Sequence, residues 1–320
     1  MTPPTPPIVV GLADPSERAA YLAGLNACFP GWGDASMFAW CFDRIVAGRT
    51  PDLLHVEDGD AMVAGSAITY RHVAIGGAAP VPVGIMTGSW TLPTLRGRGV
   101  FSRFIDASCD LSAKRGCAHL VAFVTRTNPS SRRLAAAGAT LLPTYYCRCA
   151  RRGSRAEGET RDVDVDALTP EQFVRSTRAT RFAYTLADWR GQFLDRVHPV
   201  RAVRHSSGWT AVIERTAQQD RLLALSVDDA AWTSAVDVLA RQAASAERDL
   251  FLFTADGARA AALRDRGDAV SDGALAILDT RLARTAARGR DDSHGASDAP
   301  ALEGASSAWT PLDVQAGDRM

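Results

Sequence analysis

From residue 8 to residue 149 the spacing of apolar positions changes several times, and each change marks an element. Ile8 to Gly11 is a short apolar run after a Pro-rich start. DPSERAAYLAGLNACF then carries helix-start chemistry, with Asp14 as N-cap, Pro15 at the first helical position and Glu17 in the first turn. MFAWCFDRIVAG predicts a second, shorter helix rich in aromatics. Three strand-like runs follow: LLHVE at 53–57, AMVAGSAITYRHVAI at 61–75 and VPVGIMTGSWTLP at 81–93. DGD and GGAAP punctuate them as turns, which predicts an antiparallel meander. From Val100 the period lengthens to about 3.6 residues. Val100, Phe101, Phe104, Ile105, Ala107, Ser108 and Leu111 share one face, and Gly116 supplies the stop. AHLVAFVT at 118–125 predicts a buried strand, NPSSRRLAAAG a short helix closed by Gly138, and ATLLPTYYCRC another strand. The order is helix, helix, three strands, helix, strand, helix, strand. That is α+β.

The second half repeats part of the first. AHLVAFVTRTNPSSRRLAAAGATL resembles RDLFLFTADGARAAALRDRGDAV, and Thr125 and Thr254, Leu134 and Leu263, and Gly138 and Gly267 share one spacing. WTAVIER, RLLALSV and DDAAWTSAVDVLARQA precede the repeat and predict two strands and a helix. The expected organisation is a first domain at 1–150, a polar linker at 151–164, a second and degenerate domain at 165–284, and a tail at 285–320. The tail is rich in Ala, Gly, Ser, Asp and Pro, so disorder is the expectation there, with Trp309 as a weak docking candidate.

Composition narrows the classes. With 320 residues, 46% hydrophobic, and a formal net charge of zero, the chain supports buried cores and lacks the positive excess of a nucleic-acid footprint or polybasic membrane patch. No apolar run approaches the ~20 residues that span a bilayer, and no signal-peptide pattern opens the sequence. A cytoplasmic protein is the expectation. Cys28, Cys41, Cys109, Cys117, Cys147 and Cys149 form no C-x-x-C pair and sit in apolar runs, which predicts reduced, buried thiols. The six histidines show no metal spacing, so no metal is expected.

The chemistry centres on TLPTLRGRGVFSRF, where a strand gives way to a helix through Arg96, Gly97, Arg98 and Gly99. A helix N-terminus presents unpaired amides and a positive dipole end, and glycines before it let those amides approach an anion. Arg96 and Arg98 add donors suited to phosphate. A P-loop fails for want of its Lys. A dinucleotide fingerprint fails because Ser102 replaces its third glycine. An Arg-Gly-rich disordered tract is excluded by the apolar strand and helix on either side.

Arg96-Gly97-Arg98-Gly99-Val100, after WTLP and before an amphipathic helix, resembles motif A of the GCN5-related N-acetyltransferase (GNAT) superfamily, Q/R-x-x-G-x-G/A. The resemblance covers about residues 8–150. The string Pro93-Thr94-Leu95-Arg96-Gly97-Arg98-Gly99 and the degenerate second copy are similar to the enhanced-intracellular-survival type, a tandem arrangement. The resemblance implies the GNAT fold, a mixed and mostly antiparallel sheet with flanking helices, followed by a second GNAT-like domain. It implies an acyl-CoA-dependent N-acyltransferase, usually acetyl, acting on a small-molecule or peptide amine in a ternary complex. Alternatives are a catalytically weak acyl-CoA-binding or regulatory protein, a longer acyl chain, or transfer to oxygen. Acetyl-CoA or another acyl-CoA is the implied cofactor. Amides of Arg96, Gly97, Arg98, Gly99 and Val100 would take its pyrophosphate, main-chain groups of Ser89, Trp90 and Thr91 its pantetheine arm, and Asn128 the pantetheine amides. N-capping of the following helix is the structural alternative for Asn128.

Three departures bear on the acid and base. Motif A's sixth position is Phe101. The tyrosine that usually acts as acid is replaced by Leu134. The strand VPVGIMTGSW holds no carboxylate. Tyr145 and Tyr146 are substitute acids, with packing as the alternative, and Glu57, Asp43 and His55 are undistinguished candidate bases. Trp32, Phe38, Trp40 and Phe42 are expected to pack as core, or else to line an apolar acceptor site. The second domain is expected to bind no CoA and to complete the acceptor cleft or mediate self-association.

Overall fold

The structure is a computed structural model that describes residues 6–149, 159–281, 309–310, 312–314 and 317. The chain starts with β1 (Ile8–Val10), α1 (Pro15–Cys28) and α2 (Ala35–Phe42), followed by β2 (Asp52–Asp58), β3 (Ala61–Ala74) and β4 (Val81–Thr91). It continues through α3 (Val100–Lys114), β5 (His119–Thr125), α4 (Pro129–Ala136) and β6 (Thr140–Cys149). Then come β7 (Thr160–Val163), β8 (Thr180–Ala183), α5 (Leu186–Trp189) with a π-helical turn at Arg190–Leu194, β9 (Val200–His205), β10 (Thr210–Arg215) and β11 (Gln219–Ser226). The last elements are α6 (Asp229–Ser245), β12 (Asp249–Thr254), α7 (Gly257–Asp265), β13 (Ala269–Asp279) and β14 (Leu312–Asp313). The α+β expectation holds, and the helices begin where their caps are. Asp14 accepts from the amides of Ser16 and Glu17, and Asp34 from those of Ser36 and Met37.

The chain folds into two compact units, neither of them contiguous in sequence. The first holds residues 6–72, 81–141 and 275–281. Its strands run in the order β1-β2-β3-β4-β5-β13, antiparallel from β1 to β3 and parallel at β4–β5. The second holds 73–80, 142–149, 159–274 and the described residues of 309–317. Along its main path the strands run β6-β12-β11-β10-β9-β7, parallel at β11–β12 and antiparallel at the other pairs of that path. The two halves of the sequence thus trade their final strands. The C-terminal part of β13 completes the first unit's sheet, and most of β6 belongs to the second.

The repeat extends beyond the residues that announced it. One offset of 129 residues relates Val100 to Asp229 at the helix starts, Thr125 to Thr254, Leu134 to Leu263, and Thr140 to Ala269 at the last strands.

Two stretches differ from the sequence reading. The stretch that reads as linker ends in a strand, Thr160–Val163, paired antiparallel with β9. The described end of the expected disordered tail is packed: β14 pairs with β8, and Trp309 and Val314 are buried in the second unit. The chemistry of these short pieces lies in their partners, which composition does not reveal. Residues 150–158 and 282–308 lie outside the described chain.

Candidate functional site: an opened strand pair and an uncapped helix

Strands β4 and β5 pair at only three positions, Val83↔His119, Gly84↔Leu120 and Ile85↔Val121. Beyond Ile85, β4 runs six more residues to Thr91 with no β5 partner. A kink marks the divergence. Gly88 sits within β4 at φ +55, a left-handed conformation that L side chains rarely adopt. A Cβ there would also stand 3.2 Å from the Phe42 ring.

After the kink the side chains are committed to the body of the unit. The Ser89 hydroxyl lies 2.8 Å from that of Ser66. The Trp90 indole is buried against α1 and β3, where Gly24 and Gly65 leave room for it: a Cβ on either would come within 2.4 Å of the ring. Trp90 is therefore a core side chain, and only its main chain is available to a ligand. Tyr21 packs edge-on to it with centroids 5.6 Å apart, and burial drives the Tyr21 phenol far above its ordinary pKa. The Thr91 carbonyl accepts from Arg96 Nε at 3.1 Å and from the Cys28 thiol at 3.5 Å.

Eight residues, Leu92 to Gly99, link β4 to α3. Pro93–Leu95 forms a 3₁₀ turn, and buried Leu95 pins it. Gly97 and Gly99 both take left-handed φ, at +81 and +75, and a Cβ on either would meet no atom within 4 Å. Gly99 is the N-cap of α3 and brings no side chain to it. Among the described residues nothing caps the amides of Gly97, Gly99, Val100, Phe101 and Ser102. Arg96 and Arg98 are exposed beside them, while Val100 is buried and fixes the helix start. Unpaired amides, two arginines and open space over both glycines suit a pyrophosphate.

Asn128 caps α4: its Oδ1 accepts from the Ser130 amide at 3.0 Å. Its side chain is exposed. Leu134 is 1% exposed and packs as core. Tyr145 and Tyr146 fall in the second unit. The Tyr145 hydroxyl lies 3.4 Å from where a Gly257 Cβ would stand, with Arg264 over its ring at 5.4 Å. Tyr146 packs edge-on to Phe253, centroids 5.3 Å apart. Of the bases considered, Asp43 pairs with Arg18, and buried His55 places Nε2 3.3 Å from Glu57. Phe38, Trp40 and Phe42 are core, and half-buried Trp32 stacks on Phe42 at 5.8 Å. The structure thus gathers Ser89 to Thr91, Arg96 to Val100 and Asn128 in one unit, and leaves the tyrosines in the other. The kink at Gly88 escapes sequence reading, because a lone glycine in a strand has several meanings.

Residues 12–129 match the family described as Acetyltransferase (GNAT) domain. That segment is a GNAT domain. It spans β4, the glycine turn, α3 and β5, the elements that build the site. No curated protein sequence matches the chain. Among solved structures, a probable N-acyltransferase from Enterococcus faecalis superposes with TM-score 0.58 at 10% identity, covering 86% of this chain and 73% of that one. A GCN5-related N-acetyltransferase from Kribbella flavida gives 0.54 at 16%, with 85% and 71% covered. Saccharomyces cerevisiae N-myristoyltransferase, solved with bound myristoyl-CoA and inhibitors, gives 0.59 at 11%, with 85% and 80% covered. These likenesses concern the fold, and they run well past the GNAT domain itself.

The second unit repeats the opened pair but closes it. Strands β11 and β12 also pair at three positions only, ending at Arg221↔Phe251. Just two residues, Val227 and Asp228, link β11 to α6, against eight in the GNAT domain. Asp229 occupies the first turn, so the helix dipole already faces a carboxylate. Trp232 is 5% exposed and lies under the Arg259 guanidinium at 4.9 Å, leaving a cavity of about 30 Å³.

Proposed function

We propose that the chain is an acyl-CoA-dependent N-acyltransferase, in its simplest form an N-acetyltransferase, acting on an amine of a small molecule or peptide by direct attack. One observation carries the reading: five uncapped amides at the start of α3, with open space over Gly97 and Gly99, stand at the end of a strand released from its neighbour. Of the amides expected from sequence, those of Gly97, Gly99 and Val100 would hold the pyrophosphate, helped by the guanidinium groups of Arg96 and Arg98, whereas the Arg96 and Arg98 amides are spent on the Pro93 and Leu95 carbonyls. Main-chain groups of Ser89, Trp90 and Thr91 would orient the pantetheine arm as an added strand partner, and Asn128 can donate from Nδ2 while its Oδ1 keeps the cap. The bound thioester supplies the activated acyl group. An amide of the Ser89–Thr91 stretch would stabilise negative charge on the acyl oxygen, and holding both reactants in place lowers much of the barrier. Leu134 cannot donate a proton, and the substitute acids Tyr145 and Tyr146 belong to the other unit, so no side chain of this unit is assigned to protonate the departing thiolate.

The same leucine favours a second reading, a weakly catalytic acyl-CoA-binding protein. The yeast relative binds myristoyl-CoA, so the assay compares acyl lengths. The purified chain is given acetyl-CoA or myristoyl-CoA with a broad amine panel, and free thiol is followed. Amine-dependent release from one donor supports the first reading; tight binding with no release above background supports the second. Absence of binding to either thioester overturns both.

A further inference from the structure

The second unit contains a cavity that acyl transfer does not use. It measures about 170 Å³ and is walled by Phe173, Tyr184, Trp189 and Phe193, with Arg181, Asp313 and Glu171 as its charged lining. The rings form a continuous series: Phe173 stacks on Trp189 at 5.5 Å, Trp189 on Phe193 at 5.5 Å, and Tyr184 meets Phe193 edge-on at 5.6 Å. Phe193 belongs to the π-helical turn Arg190–Leu194, a rare local geometry found often at functional sites.

The C-terminal segment supplies one wall. β14 lies parallel on β8 with Asp313 opposite Arg181, and Arg175 pairs with the Asp313 carboxylate. Gln192, fully buried, donates to the Gly317 carbonyl at 2.7 Å. Gly317 sits so close to Phe193 that a Cβ would fall 2.1 Å from the ring.

Volume and chemistry together restrict the occupant. An apolar cavity of about 150 Å³ is large enough to take benzene, so this one admits a single six-membered aromatic ring. Stacked and edge-on rings favour a planar aromatic guest. The Arg181 Nε is buried at this wall with no hydrogen-bond partner among the described residues, while the Asp313 carboxylate is already engaged by Arg175. An unmet guanidinium donor calls for an anionic acceptor. We infer that the second unit binds a small aromatic carboxylate, its ring among Phe173, Trp189 and Phe193 and its carboxylate on Arg181, with the C-terminal strand as a wall of the site.

The full chain is titrated with benzoate and, separately, with benzene, using ligand-observed NMR and calorimetry. The expected result is one saturable benzoate site per chain, tighter than benzene. Arg181→Met weakens benzoate about tenfold, the size of a lost charge-assisted hydrogen bond, and leaves benzene unchanged. Ala183→Leu, which puts a larger side chain on the lining, abolishes both. If that variant does not fold, Val174→Phe, at another lining position, replaces it. Lack of saturable benzoate binding overturns the inference, as does binding that survives a folded cavity-filling variant. Benzene equal to benzoate, or benzoate indifferent to Arg181→Met, overturns the assigned ligand class.

Discussion

At Gly99 two effects are separable. Its φ of +75 penalises any side chain, while the space above it is open. Gly99→Ala is therefore expected to cost about 1 kcal/mol of stability through backbone strain alone, seen as a lower midpoint in urea. Gly99→Glu adds a carboxylate where a diphosphate is proposed to sit. It should reduce CoA affinity on the order of a hundredfold, about 2.7 kcal/mol, in a folded protein; unchanged affinity by calorimetry would remove the site. Leu134 presents the opposite case, a residue that stands where the resemblance expects an acid tyrosine and that packs as core. Leu134→Ala should destabilise by about 2–5 kcal/mol, a loss read by denaturation rather than by rate at saturating substrate. The thiols follow burial too. Desolvation pushes Cys109, Cys147 and Cys149 up to about 12, so at pH 8 each is a thiolate on the order of one part in ten thousand. Half-buried Cys28 is expected to react first with iodoacetamide in the native protein, and the five buried thiols only on unfolding; mass mapping of the label checks the order.

Among the elements, β4 decides whether the site exists. Its first half is an ordinary parallel strand, and its second half leaves β5 after the kink at Gly88. Gly88→Val should force a β-branched residue into a left-handed position against Phe42, costing about 1–3 kcal/mol. It should also weaken CoA binding, although Gly88 lies outside the phosphate turn. Calorimetry beside a denaturation curve distinguishes this from simple destabilisation. Much of this architecture is legible in the chain. The caps Asp14 and Asn128, the period change at Val100 and the paired glycines at 97 and 99 state their elements through local chemistry. What is not legible depends on distant partners. Thr160–Val163 looks like linker because its hydrogen bonds go to β9, and Leu312–Asp313 looks like tail because its partner is β8. Tyr145 and Tyr146 are expected as substitute acids only through the resemblance, because Leu134 fills the usual position, and strand β6 carries them into the other unit. The aromatic cavity stays hidden for the same reason: Phe173, Trp189 and Phe193 share no period, only a location.

For the whole molecule, the two copies of the opened strand pair differ in the link between strand and helix. Eight residues with two glycines leave amides available in one, and two residues with an acidic first turn, over a buried Trp232, fill the other. A titration is expected to give one CoA per chain rather than two. The exchange of final strands makes each half depend on the other's sequence. Leu275, Ile277 and Leu278 of β13 are at most 6% exposed in the unit that otherwise ends at residue 141. At roughly 1.5–3 kcal/mol for each buried side chain, their loss approaches the whole stability of a typical domain, about 5–15 kcal/mol. A fragment ending at residue 150 should therefore bind a hydrophobic dye and unfold without a cooperative transition, and a peptide of residues 269–281 should restore one.

This arrangement also sets a timetable at the ribosome. The N-terminal sheet keeps an open edge along β5 until residue 279 has emerged. At about 5–20 residues per second, the roughly 130 residues after β6 take on the order of ten seconds to synthesise. Throughout that interval the nascent chain exposes an apolar strand edge to its neighbours on the polysome, so its yield in cells depends on holdase chaperones more than its folded stability would suggest.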